Sequence, residues 1–574
     1  MRILLTAINA KYIHSNLAVY SLKAAAGEYS DRIAIAEFTI NNQVDYILAE
    51  IYKKKPDVLC FSCYIWNLSM VEELVVEFHK LCPEVPIWVG GPEVSFEVEE
   101  FLGTHPQITG VMMGEGEVTF RELCQHYMEN PRKELDTVAG IAYRLGGGPE
   151  IVVQPWREVL SMSELPFCYD RMEDFSNRII YYESSRGCPF SCSYCLSSVD
   201  KKLRFRDLHL VKEELLFFIE QKVPQIKFVD RTFNCNHAHA MEIWRFIQEH
   251  DNGITNFHFE ISADLLNEEE LEIMSQMRPG LIQLEIGVQS TNDRTIQEIQ
   301  RTMKLERLVA VVQRIKAFGN IHQHLDLIAG LPYEDYDSFG KSFDEIYELQ
   351  PNQLQMGFLK VLKGSYMYDN AKEYGILYHE KPPYEVLATK WLSYEDILKM
   401  KRVEEMLEVY YNSGQFEITM KVLKTLYSSA FQLYQRLGDY YERHAYFGMN
   451  HSRIRRCEIL QEFMAEEWQG RENAEKVCEC IRQALVFDLY YRENSKSRPA
   501  WAGDFGAFKK ITHFYCKNGK LSHVEPFHYD FLGDITAFPA YSETPFWVLY
   551  AYDKRDPLNH QAHVEYVHPQ EDMQ

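Results

Sequence analysis

The sequence lacks the long apolar segment and the excess of basic residues that mark two large classes of protein. Its mean hydropathy is -0.32, and no apolar run approaches the ~20 residues that a membrane-spanning helix needs. The N-terminus, MRILLTAINAKYIHSN, has only a strand-length apolar run and no signal-peptide cleavage site. With 60 Lys and Arg against 84 Asp and Glu, the chain has no general basic surface for nucleic acid. We expect a cytoplasmic protein whose partners include neither membrane nor nucleic acid.

Residues 188–195 contain three closely spaced cysteines, and no fourth cysteine lies nearby in the sequence. Cys188, Cys192 and Cys195 form a C-x3-C-x2-C pattern in the stretch RGCPFSCSYC. Thiolates favour soft metals and iron–sulfur clusters, and both structural zinc and a cubane cluster usually take four protein ligands. Three thiolates would leave one iron of a [4Fe–4S] cluster open to an exogenous ligand, as in reactive metal sites. A zinc site completed by a distant thiol such as Cys168 or Cys235, or chance clustering of buried cysteines, stays as an alternative.

Residues 1–130 alternate short apolar strands with amphipathic helices. Strand patterns such as RILLTA at 2–7 and DVLCFSC at 57–63 are separated by helical stretches such as MVEELVVEFHKLC at 70–82. Buried strands joined by helical crossovers predict a parallel, doubly wound, Rossmann-like sheet. Ligands of such sheets bind at the carboxyl ends of the strands. Those ends are residues 9–16, 63–69, 90–95 and 114–117.

Further changes of pattern divide the rest of the chain. Residues 131–177 are predicted to form a linker with a hairpin that turns at Gly146–Gly148. From 178 to 365, six strand patterns alternate with helical segments, which predicts a partial (βα)6 barrel. Residues 366–574 are mostly helical and then aromatic-rich and strand-like, so we expect a C-terminal, mostly helical α+β domain. The predicted fold class is therefore α/β for the first two domains.

The cysteine pattern, placed in the loop after the first strand of a partial βα barrel, resembles the radical S-adenosylmethionine (SAM) superfamily. The aromatic residue before the third cysteine, Tyr194, also fits that family's motif. The resemblance covers residues from about 178 to 365. It implies that Cys188, Cys192 and Cys195 bind a [4Fe–4S] cluster, as metal ligands and catalytic residues. It further implies that SAM chelates the open iron and is cleaved reductively to a 5′-deoxyadenosyl radical.

The same resemblance implies a SAM pocket at the ends of the later barrel strands. FVDRTFN ends the second strand, FHFEIS the third and LEIGVQS the fourth, while LIAGLP resembles the fifth-strand end near the adenine. Family members often carry Glu where this chain has Gln289. The implied SAM-binding residues are Tyr194, Asp230, Thr232, Asn234, Glu260, Glu285, Gln289 and Ser290.

By position and pattern, residues 1–130 resemble the cobalamin-binding domain that precedes many radical SAM barrels. WVGGPEVS and GEGEVTF are the matching stretches, and their glycines would let the backbone approach a bulky planar ligand. The D-x-H-x-x-G signature, whose histidine binds cobalt, does not occur in the sequence, so we interpret His14 as polar loop lining rather than a cobalt ligand. The implied cobalamin contacts are Asn9, His14, Gly90, Gly91, Pro92, Glu93, Gly114, Glu115 and Gly116.

The C-terminal third and the stretch NAKYIHSNLA resemble one bacterial subgroup of these proteins, whose C-terminal domain is uncharacterised. The resemblance implies a cobalamin-dependent radical SAM enzyme that methylates, rearranges or cyclises an unidentified small molecule. Its cofactors would be a [4Fe–4S] cluster, SAM and cobalamin. A reducing protein such as flavodoxin or ferredoxin would supply the electron.

Two other functions stay open from the sequence. A tRNA methylthiotransferase-like enzyme would need three further cluster cysteines in the N-terminal domain and a small basic RNA-binding module. Cys60, Cys63 and Cys82 lack convincing spacing for a cluster, and the C-terminal tail is not basic. A non-catalytic cobalamin or iron–sulfur sensor should bring an effector or DNA-binding module, and the sequence shows no such motif.

Overall fold

The computed structural model describes residues 1–129, 135–169, 172–175, 177–504, 506, 509–516 and 521–569. The chain divides into two compact units. The first consists of Met1–Ile286, Ile296–Val311 and Phe358–Lys390, and the second of Gly287–Thr295, Val312–Gly357 and Trp391–Gln574. Chain order and spatial grouping therefore differ, because Phe358–Lys390 belongs to the first unit although both of its chain neighbours belong to the second.

A seven-stranded sheet forms the N-terminal part of the first unit. Its strands are β1 (Ile3–Asn9), β2 (Ile33–Thr39), β3 (Val58–Ser62), β4 (Ile87–Gly90), β5 (Gly110–Met112), β6 (Ile141–Arg144) and β7 (Ile151–Val153). Their order is β2-β1-β3-β4-β5-β6-β7, and the first five are parallel. The predicted doubly wound parallel sheet is confirmed. The predicted hairpin at Gly146–Gly148 extends the same sheet, because β6 and β7 add to it antiparallel.

Helices cover both faces of this sheet. They are α1 (Leu17–Ala25), α2 (Val44–Lys54), α3 (Leu68–Leu81), α4 (Val98–Thr104) and α5 (Glu117–Glu129). Because successive side chains of a strand point to opposite faces, each face has its own core. Leu4 packs in the same cluster as Leu74 of α3, whereas the next residue, Leu5, packs in a second cluster with Phe120 of α5. Burial on both faces explains why these strands are continuously apolar in sequence.

The strand order places a topological switch point between β1 and β3. In open α/β sheets, the ligand crevice lies outside the carboxyl ends of the strands at such a point. The loop after β1 exposes Tyr12 and Ile13, and the loop after β3 exposes Trp66. The indole of Trp66 stacks on Tyr64 with 4.5 Å between ring centroids and donates a 3.0 Å hydrogen bond to the carbonyl of Ile8. The crevice therefore has an exposed rim of aromatic and aliphatic side chains.

The barrel follows in chain order. Its strands, and a short pair between the first two, are β8 (Ile180–Tyr182), β9 (Ser185–Arg186), β10 (Arg204–Phe205), β11 (Gln225–Phe228), β12 (Asn256–Ile261), β13 (Ile282–Gln289), β14 (His322–Ala329) and β15 (Gln353–Phe358). The helices between them are α6 (Leu208–Glu220), α7 (His237–Glu249), α8 (Glu268–Gln276), α9 (Asp293–Glu298), α10 (Leu305–Phe318) and α11 (Tyr336–Tyr347). The six-stranded order is β15-β14-β13-β12-β11-β8, which agrees with the predicted partial barrel.

The strands from β8 to β13 have one apolar and one polar face. Phe228 and Phe259 lie 4.6 Å apart between ring centroids and are fully buried on the apolar face. On the opposite face, the parallel register aligns Tyr181, Lys227 and His258 side by side on β8, β11 and β12. Alternation along each strand therefore collects polar side chains on a single surface.

The remaining elements follow β15. They are α12 (Tyr366–Asp369), β16 (Leu377–Tyr378), β17 (Val386–Ala388), α13 (Tyr394–Leu407), α14 (Glu417–Lys424), α15 (Ala430–Arg443), α16 (Arg453–Glu467), α17 (Ala474–Arg492), α18 (Lys509–Tyr515), β18 (Ser522–Tyr529), β19 (Tyr541–Arg555) and β20 (Ala562–Val567). The last three strands form an antiparallel sheet. The predicted C-terminal mixture of helices and strands is confirmed. No helix among the described residues has the length and apolar character of a membrane span.

We predict that Gly91→Ala destabilises the N-terminal sheet. Gly91 has a φ of 123°, and a Cβ there would lie 2.3 Å from the carbonyl oxygen of Cys63. Strain and the backbone clash should lower the free energy of unfolding by about 2–4 kcal/mol, measured by urea denaturation. The matched control is Gly103→Ala in α4, where no neighbouring atom lies within 4 Å and stability should rise by up to about 1 kcal/mol. Equal midpoints for the two variants would contradict the prediction.

Candidate functional site

Two short strands clamp the ends of the loop that carries the three cysteines. Strands β9 and β10 pair antiparallel, with Arg186 opposite Arg204. Within the loop, the amide of Cys188 donates to the carbonyl of Asp200 at 3.1 Å. Gly187 has a φ of 87°, and a Cβ there would lie 2.7 Å from the carbonyl oxygen of Lys202. The two ends of the loop are therefore held together where it leaves the barrel and returns to it.

The three thiols of this loop differ in their exposure. Cys188 and Cys192 are buried, and Cys195 is half-buried. Nη1 of Arg301 lies 3.8 Å from Sγ of Cys192 and 3.4 Å from the hydroxyl of Tyr194. Burial raises the pKa of the Cys192 thiol, and the Arg301 charge opposes that rise. Arg301 thus supplies a positive charge where a thiolate ligand would be negative.

Among the described residues, no three His, Cys, Asp or Glu side chains are grouped closely enough to hold a single metal ion. A cubane cluster does not use such a group, because each of its cysteines binds a different iron. The donor chemistry fits that cluster, since Cys188, Cys192 and Cys195 are soft ligands on one clamped loop.

A buried carboxylate braces the start of the loop. Asp230, at the end of β11, is fully buried. Its oxygens accept hydrogen bonds from the amide of Ser184 at 3.0 Å and from the hydroxyls of Ser184 and Ser185 at 2.6 Å each. Nε2 of His239 lies 3.1 Å from the Ser184 hydroxyl, and burial lowers the pKa of His239 to about 4. These contacts use the Asp230 carboxylate within the protein and favour a bracing role over contact with SAM.

Arginines on both arms of the loop pair with carboxylates of the N-terminal sheet. Arg186 lies 2.5 Å from Glu117 and 2.8 Å from Glu183, measured between guanidinium nitrogens and carboxylate oxygens. On the other arm, Nη1 of Arg204 lies 2.6 Å from Oε1 of Glu115. Burial raises the pKa of Glu183 to about 7, although Arg186 opposes this shift. Glu115, predicted to contact cobalamin, therefore helps to fasten the cysteine loop to the N-terminal sheet.

The polar face of the barrel strands carries a charge network. Nζ of Lys227 lies 2.9 Å from Oε2 of Glu285 and 3.7 Å from Oε1 of Glu260. Nε2 of His258 lies 2.9 Å from the same Glu285 oxygen. Burial disfavours the ionised form of Glu285, but the hydrogen bonds from His258 and Lys227 hold its pKa well below its usual value. Two predicted SAM-binding carboxylates are thus brought together by Lys227.

The end of β13 holds two predicted SAM-binding residues in different environments. Gln289 has a φ of 75°, which is uncommon for a residue other than glycine. Its buried Oε1 has no hydrogen-bond partner among the described residues, as expected of an atom that a ligand satisfies. Ser290 is fully buried and donates to Oε1 of Glu334 at 2.6 Å. Contact of Gln289 with SAM stays a prediction, whereas the Ser290 hydroxyl is engaged within the protein.

Glu334 follows the fifth barrel strand and joins two strand ends. Besides Ser290, the hydroxyl of Ser342 donates to Oε1 of Glu334 at 2.9 Å. The other carboxylate oxygen is buried and has no hydrogen-bond partner within the described part of the chain. Burial raises the pKa of Glu334 to about 7, although the two serine hydroxyls oppose the shift. Burial therefore favours the protonated form of this carboxyl group.

Thr232 and Asn234, the other predicted SAM-binding residues after β11, also have different environments. The Oγ1 of Thr232 lies 3.9 Å from Sγ of Cys188, so this side chain borders the cysteine loop. Asn234 is fully buried. Its amide donates to the carbonyl of Ser262 at 2.9 Å, and its Oδ1 accepts from the Ser262 amide at 3.0 Å. Asn234 therefore joins the ends of β11 and β12.

The loop after β1 connects the N-terminal sheet to the barrel. The side-chain amide of Asn9 donates to the carbonyl of His14 at 3.1 Å and to Glu37 at 2.9 Å. Nδ1 of His14 lies 2.7 Å from the hydroxyl of Tyr181 on β8. Burial, with the nearby charges of lysines, lowers the pKa of His14. These protein contacts agree with the interpretation of His14 as polar loop lining, and its contact with cobalamin stays a prediction.

The other predicted cobalamin contacts lie in the loops after β4 and β5. These are Gly90, Gly91, Pro92 and Glu93, and then Gly114, Glu115 and Gly116. Gly91 permits the close approach of the β3 and β4 ends, and a Cβ on Gly114 would lie 3.1 Å from the ring of Trp156. Protein contacts thus explain these glycines, and contact with a corrin ring stays a prediction. Glu93 is buried, and its Oε2 has no hydrogen-bond partner in the described ranges, which fits a ligand at this edge.

Five residues that brace the site were missed by the sequence reasoning: Arg186, Lys227, His239, Arg301 and Glu334. Arg186 and Glu334 had a usable signal, since they stand next to the cysteine and LIAGLP motifs. Lys227 also directly precedes the FVDRTFN motif, whereas His239 and Arg301 carry no motif and are identified only by their neighbours in the fold.

Three family models match successive parts of the chain. The model described as "B12 binding domain" matches residues 3–124, and the model "Radical SAM superfamily" matches residues 182–346. The chain contains a B12-binding domain and a radical SAM domain. A third model, "Protein of unknown function (DUF4080)", matches residues 372–530. The resemblances drawn from the cysteine loop, the N-terminal glycines and the C-terminal third are thereby confirmed.

Curated relatives of this protein include methyltransferases. It is 29% identical over 314 residues to 2-(S-pantetheinyl)-carbapenam-3-carboxylate methyltransferase of Streptantibioticus cattleyicolor, covering 51% of this chain and 45% of that relative. It is 25% identical over 395 residues to an uncharacterized methyltransferase of Pyrococcus horikoshii, covering 66% and 82%. The chain thus spans less than half the length of the first of these relatives.

A solved structure shares the fold of this protein. It is the cobalamin-dependent S-adenosylmethionine radical enzyme OxsB with aqua-cobalamin bound. The TM-score is 0.57 at 16% identity, over 87% of this chain and 82% of that chain. The likeness covers more of the chain than the B12-binding and radical SAM matches together, and it concerns the fold alone.

We predict that Asp230→Ala weakens the cysteine loop. The substitution leaves three donors of Ser184 and Ser185 without their acceptor, which should cost about 3 kcal/mol of unfolding free energy. After anaerobic reconstitution, iron should be lost to a chelator about 10–100-fold faster than from the wild type, as for other partners that support metal ligands. Asp337→Ala, at an exposed position of α11, is the control and should retain iron. Unchanged iron loss from Asp230→Ala would refute the bracing role.

We predict that Glu334→Gln changes how stability depends on pH. The pKa of Glu334 is raised from 4.5 to about 7 in the folded protein, so between these values the folded state binds more protons. Its contribution to stability is complete below pH 4.5 and is lost as pH rises to about 7. The variant, which cannot ionise, should therefore gain about 2–3 kcal/mol relative to the wild type between pH 4.5 and 8, measured by denaturant unfolding. Parallel pH profiles would contradict this assignment.

Proposed function

We propose that this protein is a cobalamin-dependent radical SAM enzyme that transfers a methyl group to a small molecule. The observation that supports it most is the position of the cysteine loop within one compact unit. Asp230 of the barrel braces the loop from one side, and Glu115 and Glu117 of the B12-binding domain pair with its arms from the other. The two cofactor domains therefore meet at the loop that would hold the cluster.

The chain's own residues would divide the work of binding and positioning. Cys188, Cys192 and Cys195 would hold the cluster, and Arg301 would offset the negative charge of the Cys192 ligand. When bound, such a cluster supplies the electron that cleaves SAM into methionine and a 5′-deoxyadenosyl radical, and cobalamin supplies a methyl carrier. The unpartnered Oε1 of Gln289 would accept a hydrogen bond from SAM.

The carboxylates near the fourth strand would bind hydroxyl groups of SAM. Glu260 and Glu285 lie side by side in the parallel register of β12 and β13. Nζ of Lys227 lies 3.7 Å from the Glu260 carboxylate and 2.9 Å from that of Glu285, and with His258 it holds the pKa of Glu285 below its usual value. Ionised carboxylates are the stronger hydrogen-bond acceptors, which suits the recognition of ribose hydroxyls.

Methyl transfer is proposed ahead of rearrangement or cyclisation because of the relatives, several of which are methyltransferases by name. The tRNA methylthiotransferase alternative is not favoured. Cys60 and Cys63 are buried in the N-terminal sheet, where burial raises the pKa of both thiols far above its usual value. Such thiols are inert packing groups rather than cluster ligands. A small-molecule substrate and a reducing protein such as flavodoxin or ferredoxin are the proposed partners.

We predict that the cluster and SAM cleavage depend together on Cys192. Full-length protein reconstituted with iron, sulfide and cobalamin, then reduced with SAM present, should show a [4Fe–4S] signal by electron paramagnetic resonance (EPR) and release 5′-deoxyadenosine. Cys192→Ala should lower cleavage by more than about 100-fold, since even outer partners of metal ligands are worth 10–100-fold. Cys82→Ala, a half-buried thiol outside the loop, is the matched control.

The products formed from SAM distinguish methyl transfer from radical rearrangement. Methyl transfer should yield S-adenosylhomocysteine in turnover mixtures, whereas a radical rearrangement should yield 5′-deoxyadenosine without it. A missing cluster signal, or undiminished cleavage by Cys192→Ala, would refute the proposed function.

A further inference from the structure

A segment of the first unit, Phe358–Lys390, has contacts that its place in the chain does not suggest. We call it the strap. It begins at the end of β15, contains α12, β16 and β17, and leads into α13. The chain on both sides of the strap belongs to the second unit. The strap therefore departs from its chain neighbours and packs with the B12-binding domain and the cysteine loop.

One contact of the strap lies inside the cysteine motif. The backbone amide of Met367 in α12 donates to the carbonyl of Ser193 at 2.8 Å. Ser193 stands between Cys192 and Cys195, and its own amide donates to the carbonyl of Ile299 at 2.9 Å. Both Ser193 and Met367 are fully or nearly fully buried. The strap thus fixes the backbone between the second and third cysteines.

A second anchor secures the strap beside that contact. The hydroxyl of Tyr374 donates to Oε1 of Glu298 at 2.7 Å. Glu298 lies next to Ile299, whose carbonyl accepts the Ser193 amide. Backbone and side-chain bonds therefore hold the strap and the cysteine loop as one local structure.

The other contacts of the strap lie on the loop after β4, at the predicted ligand edge of the B12-binding domain. Nζ of Lys363 lies 3.1 Å from Oε2 of Glu97, and the hydroxyl of Tyr368 donates to Oε1 of the same residue at 3.0 Å. Gly364 faces Phe96 so closely that a Cβ would lie 2.6 Å from the ring. These residues follow Glu93, whose Oε2 has no partner among the described residues.

Tyr384 extends this contact to Glu93 itself. Both side chains are buried. Burial and the nearby Glu93 carboxylate raise the pKa of Tyr384 far above its usual value, and Tyr384 opposes the rise that burial causes in the pKa of Glu93. The strap therefore contacts the ligand edge of one domain and the cysteine loop of the other.

We propose that the strap couples occupancy of the B12-binding domain to the geometry of the cysteine loop. A corrinoid that shifts the loop after β4 would move Phe96 and Glu97, which would displace the strap and its bond to Ser193. Coupling of this kind is reciprocal, so an assembled cluster should change the affinity for the corrinoid by the same factor. The inference rests on the proposed function, because it requires that both cofactors bind where they are placed.

The test compares corrinoid affinity in two forms of the full-length protein. Aqua-cobalamin is titrated by equilibrium dialysis, with cobalt counted by mass spectrometry, against iron-free protein and cluster-reconstituted protein without SAM. In the wild type, the two dissociation constants should differ by about 5–150-fold, the usual range of coupling between sites. In Gly364→Val, which forces a side chain against Phe96, the ratio should fall toward one while the iron content and the cluster EPR spectrum stay normal.

Two further variants keep the result interpretable. The double variant Lys363→Met/Tyr368→Phe removes both polar contacts with Glu97 without adding volume, and should also lower the ratio. Leu377→Ala, at a side chain of the strap that is 63% exposed, should retain the wild-type ratio.

A wild-type ratio of one, with both cofactors bound, would overturn the coupling and leave the proposed function intact. An unchanged ratio in both contact variants would also overturn it. Failure of either form to bind corrinoid would instead refute the cofactor assignment, and the coupling with it.

Discussion

The ion pairs of the half-buried Arg186 guanidinium are the interactions on which the candidate active site depends. Arg186 pairs with Glu117 of the B12-binding domain and with Glu183 at the end of the first barrel strand, and it stands two residues before Cys188. Burying these charges would be costly unless each had its partner. Because each charge has a partner of opposite sign, these ion pairs fix the position of the first arm of the cysteine loop relative to both domains. Asp230 adds a second brace through the two serines that precede Arg186.

These braces explain why polar residues at strand ends divide into two groups. Asp230, Asn234 and Ser290 are fully buried, and their side-chain atoms bond to neighbouring loops. Gln289 and Glu93 instead present buried oxygens that no described residue satisfies. An unpartnered buried oxygen is costly without a ligand. Contact of this second group with a cofactor stays a prediction.

The fold was largely predictable because its signals are local. Apolar strands at regular spacing predict both βα domains, and the C-x3-C-x2-C pattern needs only eight residues, 188–195. The sequence could not show that β6 and β7 extend the first sheet, because an antiparallel edge strand has the same pattern as an isolated hairpin. It also could not show that residues 358–390 group with the first unit, because an amphipathic pattern indicates that one face is buried but not which element covers it. The three boundaries between the four predicted segments, at 130/131, 177/178 and 365/366, stay a prediction.

The sequence by itself determined the class of protein, the three soft ligands and the loop that carries them. Residue type and spacing are sufficient there, because the ligands are neighbours in the chain. The tertiary structure alone decided which polar groups at the strand ends bond within the protein and which present a buried oxygen without a partner among the described residues. Lys227 contacts Glu285, 58 residues later in the chain, and Arg301 contacts Cys192, 109 residues earlier. Met367 bonds to Ser193 over a still longer separation. Contacts over such separations depend on how the strands and loops pack, and no local pattern encodes them.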